Sequence, residues 1–143
     1  MIAVDSNLLV YAHRRDSEWH EPARREITSL AESAAAWAIP WPCLYEFYAI
    51  VTHPGIYRPP TSPAKAIDQI EAWLESPSLV LLAETGSYSS VLADLLRSSR
   101  PRGPKVHDAC IAALCVHGGA RELLSADRDF SRFPALATRN PLV

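Results

Sequence analysis

The sequence has no C-x-x-C pair, no apolar run near the length of a membrane span and no excess of positive charge. Each absence closes a class of function. The three cysteines, Cys43, Cys110 and Cys115, lie singly in apolar segments, as buried free thiols do in a reducing compartment. No stretch approaches the ~20 apolar residues that cross a bilayer, and no cationic leader precedes an apolar run. A soluble cytoplasmic protein is the expectation, with no membrane partner. The formal net charge of −2 argues against coating nucleic acid through a bulk positive field, while leaving room for a local basic patch. A Gly-rich phosphate loop is missing, which excludes P-loop nucleotide hydrolysis. G-x-S-x-G and Cys–His arrangements are missing too, so no side-chain nucleophile stands out.

The most informative absence is local. No Lys or Arg occurs in the first thirteen residues, yet Asp5 stands between the apolar runs Ile2-Ala3-Val4 and Leu8-Leu9-Val10. A lone ionised carboxylate at the mouth of a buried strand is costly unless positive charge meets it.

What is present reads as strands alternating with helices. Residues 2–4 form a strand, and Ser6 is expected to cap a helix from about Asn7. A second helix opens at His20-Glu21-Pro22, a strand follows at 35–39, and Pro42 opens a third helix running from Cys43 to Thr52. The Pro-rich stretch 53–61 is a loop. Ser62-Pro63 starts a fourth helix that is expected to bury Ile67, Ile70, Trp73 and Leu74. Leu79 to Leu82 form a strand apolar enough to be covered on both faces. A helix bearing Val91, Leu92, Leu95 and Leu96 leads to a basic loop at 97–105. A very apolar helix from about His107 to His117 ends at Gly118-Gly119. Leu123 to Ser125 form a strand, Asp127 to Phe133 a short turn, and 136–138 a last strand. With no repeat, low-complexity tract or linker, the 143 residues are expected to make one domain. Its fold class is α/β, a parallel sheet between helices, with the ligand site outside the carboxyl ends of the strands.

Two further segments repeat the oddity of Asp5. Glu46 is the only charged residue from Ala38 to Thr52, and Asp108 is the only Asp, Glu, Lys or Arg from Val106 to Ala120. Helices apolar nearly all round are buried helices. Asp127 follows Leu123-Leu124-Ser125-Ala126, and Asp129 lies two residues on. Singly, Asp5 and Asp108 have ordinary uses at helix starts, and Glu46 could lie on one wet face. Together the scattered acids suggest a shared site for a divalent cation. Oxygen-only ligation points to Mg²⁺ or Mn²⁺ rather than zinc, and such sites most often serve phosphodiester chemistry.

Val4-Asp5-Ser6-Asn7, Glu46, Val106-His107-Asp108-Ala109 and Leu124-Ser125-Ala126-Asp127-Arg128-Asp129-Phe130 resemble, in order and spacing, the four acidic motifs of PIN-domain ribonucleases. The likeness is strongest to the toxin of a bacterial VapBC toxin–antitoxin pair. It implies a three-layer α/β/α sandwich around a parallel sheet of four or five strands. It further implies metal-dependent cleavage of RNA, with Asp5, Glu46, Asp108 and Asp127 as the catalytic metal ligands. Asp129 matches a more variable extra acid, and Ser6, Asn7 and Ser125 stand where the family places groups that support the carboxylates. A VapB-type antitoxin in an apolar groove between the early helices, and a homodimer, are the implied partners.

Four cations and no acids occupy residues 97–105, just before Asp108. Arg100, Arg102 and Lys105, with Arg128, are the candidates to hold RNA phosphates. His107 could donate to a phosphate, and Tyr45 or Tyr48 could stack on a base. Rival readings are weaker. A haloacid-dehalogenase-type phosphatase needs a second Asp where this chain has Asn7, and a receiver domain needs paired acids after its first strand. A degenerate PIN module that only binds has no reason to keep four buried acids. A DNA nuclease of the same fold shares the site chemistry and stays open.

Overall fold

In the computed structural model, which describes residues 1–143, five short segments become strands. They are β1 (Ile2–Val4), β2 (Trp37–Pro40), β3 (Leu79–Leu82), β4 (Glu122–Leu124) and β5 (Thr138–Arg139). All pair in parallel, in the order β3-β2-β1-β4-β5. The register sets Ala3 beside both Ala38 and Leu123, so small and branched side chains fill the middle of the sheet.

Helices α1 (Ser6–His13) and α2 (His20–Glu32) join β1 to β2, and α3 (Trp41–Val51) and α4 (Pro63–Leu74) join β2 to β3. Helices α5 (Tyr88–Ser99) and α6 (Val106–His117) then join β3 to β4. The first two crossovers step outward in one direction, while the third returns past β2 and β1. Because such crossovers are right-handed, α1 to α4 cover one face and α5 and α6 the other. The packing of α1 on α2 and α3, and of α5 on α6, agrees. The result is an α/β/α sandwich. Strand order reverses between β1 and β4, which is where open α/β sheets place a ligand crevice.

Local chemistry explains the joints. The Asp5 carboxylate accepts from the Ser6 backbone N–H at 2.8 Å and caps α1, while Ser62 accepts from the Lys65 N–H at 3.2 Å and caps α4. Helix α6 is wedged in the core, with Ala109 and Ile111 to Cys115 buried. Its C-cap is Gly118, where a Cβ would stand 2.6 Å from the Leu82 side chain of β3 and 3.0 Å from the Leu114 carbonyl, so a larger residue would have to push Leu82 aside. Thr61 ties the 52–61 loop to α1, through the His13 ring at 3.1 Å and the Arg14 guanidinium at 3.2 Å.

Several expectations are corrected. Asp5 rather than Ser6 caps α1, and α3 begins at Trp41, with Pro42 inside its first turn. Helix α4 buries Ala66 and Trp73 and leaves Ile67 and Leu74 exposed. The cause is Trp73, whose ring meets Phe47 edge-on at 4.8 Å between centroids and sets the helix rotation. Val80 is exposed because β3 is an edge strand. Helix α5 reaches Ser99, and Gly103–Lys105 form a 3-10 turn, so much of the basic stretch is ordered backbone. The last strand lies at Thr138–Arg139, just after the buried Leu136. Cys43 and Cys115 are buried, but Cys110 is only half-buried. No helix is long and apolar enough to cross a membrane.

Candidate active site at the carboxyl edge of the sheet

Asp5 is the inner member of the site. It leaves the end of β1, the centre strand, and is buried at 4% exposure. One carboxylate oxygen accepts from Ser125 Oγ at 2.7 Å and from Asn7 Nδ2 at 3.3 Å. The other accepts from the Ser6 N–H at 2.8 Å, with Ser6 Oγ and Cys43 Sγ each at 3.5 Å. Every donor is neutral. Hydrogen bonding satisfies the oxygens without cancelling the charge.

Asn7 and Ser125 bind the two sides of the strand-order reversal together. The Asn7 amide donates to Ser125 Oγ at 3.2 Å and accepts from the Ala126 N–H at 3.2 Å. Ser125 Oγ also accepts from the Asp127 N–H at 3.0 Å. Asp127 in turn accepts from the Asp129 N–H at 2.8 Å, shaping the turn that follows β4. Glu46 arrives from α3, where Ser6 Oγ reaches its Oε2 at 3.4 Å. Asp108, in the first turn of α6, comes from the opposite helical layer. Oxygens of Asp108, Asp127 and Asp129 all lie within 4.8 Å of one another.

The electrostatics follow from this crowding. Burial raises the Asp5 carboxyl above its usual value, Ser125, Ser6 and Cys43 draw it partly back, and Asp127 adds repulsion. Glu46 is pushed up to about 7, first by burial and then by Asp5, against a smaller opposing effect of the Ser6 hydrogen bond. Asp108 is raised by burial and by Asp127, with Lys105 opposing. Lys105 pairs with Asp129 and, with a smaller effect of Arg132, holds that outer carboxyl below its usual value. No Lys or Arg forms an ion pair with Asp5, Glu46, Asp108 or Asp127, which leaves a local deficit of positive charge. An all-oxygen donor set carrying that deficit fits a hard divalent cation.

A family model described as "PIN domain" matches residues 2–136. The chain belongs to the PIN-domain family. Among relatives, Ribonuclease VapC43 of Mycobacterium tuberculosis is 34% identical over 142 residues, covering 99% of this chain and 96% of that protein. Ribonuclease VapC37 of the same organism is 33% identical over 141 residues, covering 99% and 97%. The fold is shared with VapBC2 from Rickettsia felis, solved bound to a promoter DNA fragment (TM-score 0.69, 18% identity, 98% of each chain covered). It is also shared with Mycobacterium tuberculosis VapC20, titled a Sarcin-Ricin loop cleaving toxin (TM-score 0.66, 18% identity, 92% and 93% covered).

In this PIN domain the sequence-derived candidates fall into two groups. Asp5, Glu46, Asp108, Asp127 and Asp129 gather at one edge of the sheet, with Ser6, Asn7 and Ser125 bonded to them or to their backbone. Of the cations, Lys105 alone is tied into the cluster, through Asp129. Arg128 lies exposed between Asp127 and Asp129, whereas Arg100 and Arg102 sit exposed near the end of α5. Cys43 as a donor to Asp5 is a contact that motif reading misses. Its signal is the three-residue spacing to Glu46, which puts both on one side of α3. The cavity between α1, α2 and α4, about 670 Å³, is lined mainly by polar and charged groups, among them His13, Arg15, His20, Glu21 and Arg24. This cavity is therefore more polar than the apolar groove expected between the early helices.

Proposed function

We propose that this chain is a metal-dependent endoribonuclease, the toxin component of a type II toxin–antitoxin system. The observation that carries the reading is the gathering of Asp108, Asp127 and Asp129 oxygens within 4.8 Å of one another, with Asp5 and Glu46 near enough to repel each other and Asp108. Likeness to proteins named VapC ribonucleases over nearly the full chain supports it. Asp5, Glu46, Asp108 and Asp127 would hold Mg²⁺ or Mn²⁺, with Asp129 as an outer acid. When bound, the cation supplies an acidified water and offsets charge growing on the phosphate. The chain's own work is positioning. Ser125, Asn7 and the Ser6 N–H fix the Asp5 oxygens, and Lys105 holds Asp129 aside. Arg128, Arg100 and Arg102 are the exposed cations for RNA phosphates.

The structural neighbours from Rickettsia felis and Salmonella typhimurium are VapBC complexes, which supports a small VapB-type antitoxin as partner here. We infer that it docks on the polar cavity of α1, α2 and α4 and that the toxin acts as a homodimer. The deciding experiment incubates RNA with the protein and Mn²⁺ and maps new 5′ ends. Asp5→Asn and Asp108→Asn should lose cleavage while keeping the native circular dichroism spectrum. Full cleavage by either variant, or by the wild type in excess EDTA, would overturn the reading.

A further inference from the structure

A second hollow opens beside the acids. A cavity of about 440 Å³ is lined by Pro42, Tyr45, Glu46, Glu84, His107 and Cys110, within the ~300–1,000 Å³ usual for small-molecule sites. Glu46 belongs to both this cavity and the acid cluster, and His107 immediately precedes Asp108. Whatever fills the hollow therefore lies next to whatever the acids act on. Its aromatic wall is Tyr45, at 65% exposure on a helix whose only charged residue is Glu46. The Tyr45 ring is steadied by Trp41, stacked at 6.3 Å with the planes 27° apart. Tyr45, Pro42 and Glu84 also line an adjoining cavity of about 260 Å³, so the ring stands between two hollows.

We infer that this cavity receives a nucleobase of the RNA strand adjacent to the bond being cut, with Tyr45 as stacking surface and Glu84 as reader of the base edge. The proposal rests on the ribonuclease reading for its link to cleavage, but not for base binding itself. An aromatic face backed by a second ring suits a planar base, and stacking on aromatics is how single-stranded RNA is commonly held. The apolar anchor of a protein partner suits it less, because seating one would bury Glu46, Glu84 and His107 without partners. The carboxylate also selects. Guanine offers two adjacent N–H groups along its pairing edge, which one carboxylate accepts together. Uracil flanks its single N–H with two carbonyl oxygens, which the same carboxylate repels. The site therefore prefers guanine and disfavours uracil.

The test uses the full chain in EDTA, where cleavage is silent, and measures fluorescence-anisotropy binding of two RNA probes: hexauridylate and the same hexamer with one central guanine. The guanine probe should bind more tightly. Tyr45→Ala should weaken it about 10- to 100-fold, in line with the loss of one stacked base, while Tyr45→Phe retains it. Glu84→Gln should erase the difference between probes. A parallel digest of randomised RNA with Mn²⁺ should show guanine enriched beside the cut for the wild type and not for Glu84→Gln. Equal binding of both probes, or Tyr45→Ala indistinguishable from wild type, overturns the subsite. So does conversion of a dimer to a monomer by Tyr45→Ala in sedimentation, which would make the aromatic face a self-interface. Base-selective binding without any cleavage would instead leave the subsite standing and remove the ribonuclease reading.

Discussion

Glu46 is the side chain whose charge state is most finely balanced. Its carboxyl moves from an ordinary 4.5 to about 7 in the fold, through burial first and Asp5 second. Between those two values the folded protein keeps a proton that the unfolded chain has released. Stability from this group is therefore complete below 4.5 and is lost as pH rises through about 7. Asp5 and Asp108, also raised, act in the same direction. The cation-free protein should melt at progressively lower temperature from about pH 5 to pH 8, and Glu46→Gln should flatten the slope. A flat wild-type profile in calorimetry would count against a crowded acid site. Mn²⁺ should displace the shared protons and tighten its own binding as pH rises, read as proton release in buffers of different ionisation enthalpy. Asp5, Glu46 and Asp108 were legible in the sequence because their own segments carry no Lys or Arg, whereas Asp127 and Asp129 flank Arg128 and were read from their place after a strand. Lys105, a candidate phosphate binder, also pairs with Asp129 across a 24-residue separation, a distance at which pattern reading is blind.

At the scale of elements, apolar helices marked their own layer. Helices α3 and α6 carry a single acid each on a buried body, and both deliver that acid to the sheet edge. The start of α3 and the end of α6 were legible to within a residue or two, since Pro42 and the Gly118-Gly119 pair are strong punctuation. Helix α4 was misread in part: Trp73 is buried as expected, while Ile67 and Leu74 are exposed. Its sequence offers two apolar stripes, and periodicity cannot choose between Ile67 with Leu74 and Ala66 with Trp73. Packing chose the second, because only there does Trp73 meet Phe47. Trp73→Ala should accordingly cost about 3–5 kcal/mol in denaturant unfolding. Ile67→Lys and Leu74→Lys should each stay within about 0.5 kcal/mol. The reverse order of costs would mean that α4 is turned the other way.

For the whole molecule, the parallel sheet and both helical layers followed from the alternation of elements. Edge exposure did not, because strand order is invisible until the third crossover is seen to return. A divalent cation at the rim should behave as a ligand of the folded state only. At one hundred times its dissociation constant it adds about 2.7 kcal/mol of stability, so the melting temperature should climb with Mn²⁺ concentration for the wild type and remain flat for Asp108→Asn. A wild type indifferent to Mn²⁺ would argue that the acids hold no cation. The Ser125–Asp5 hydrogen bond adds a consequence in time. Its partners lie 120 residues apart, and β4 is the neighbour that completes β1 on its second side. During synthesis on the ribosome, Asp5 emerges 120 residues ahead of the Ser125 hydroxyl that fixes its carboxylate. On the metal-site reading proposed above, a nascent chain that stops short of Asp127 lacks one of the four acids and should cleave no RNA, so the order of translation would keep the activity silent until the fold is almost complete.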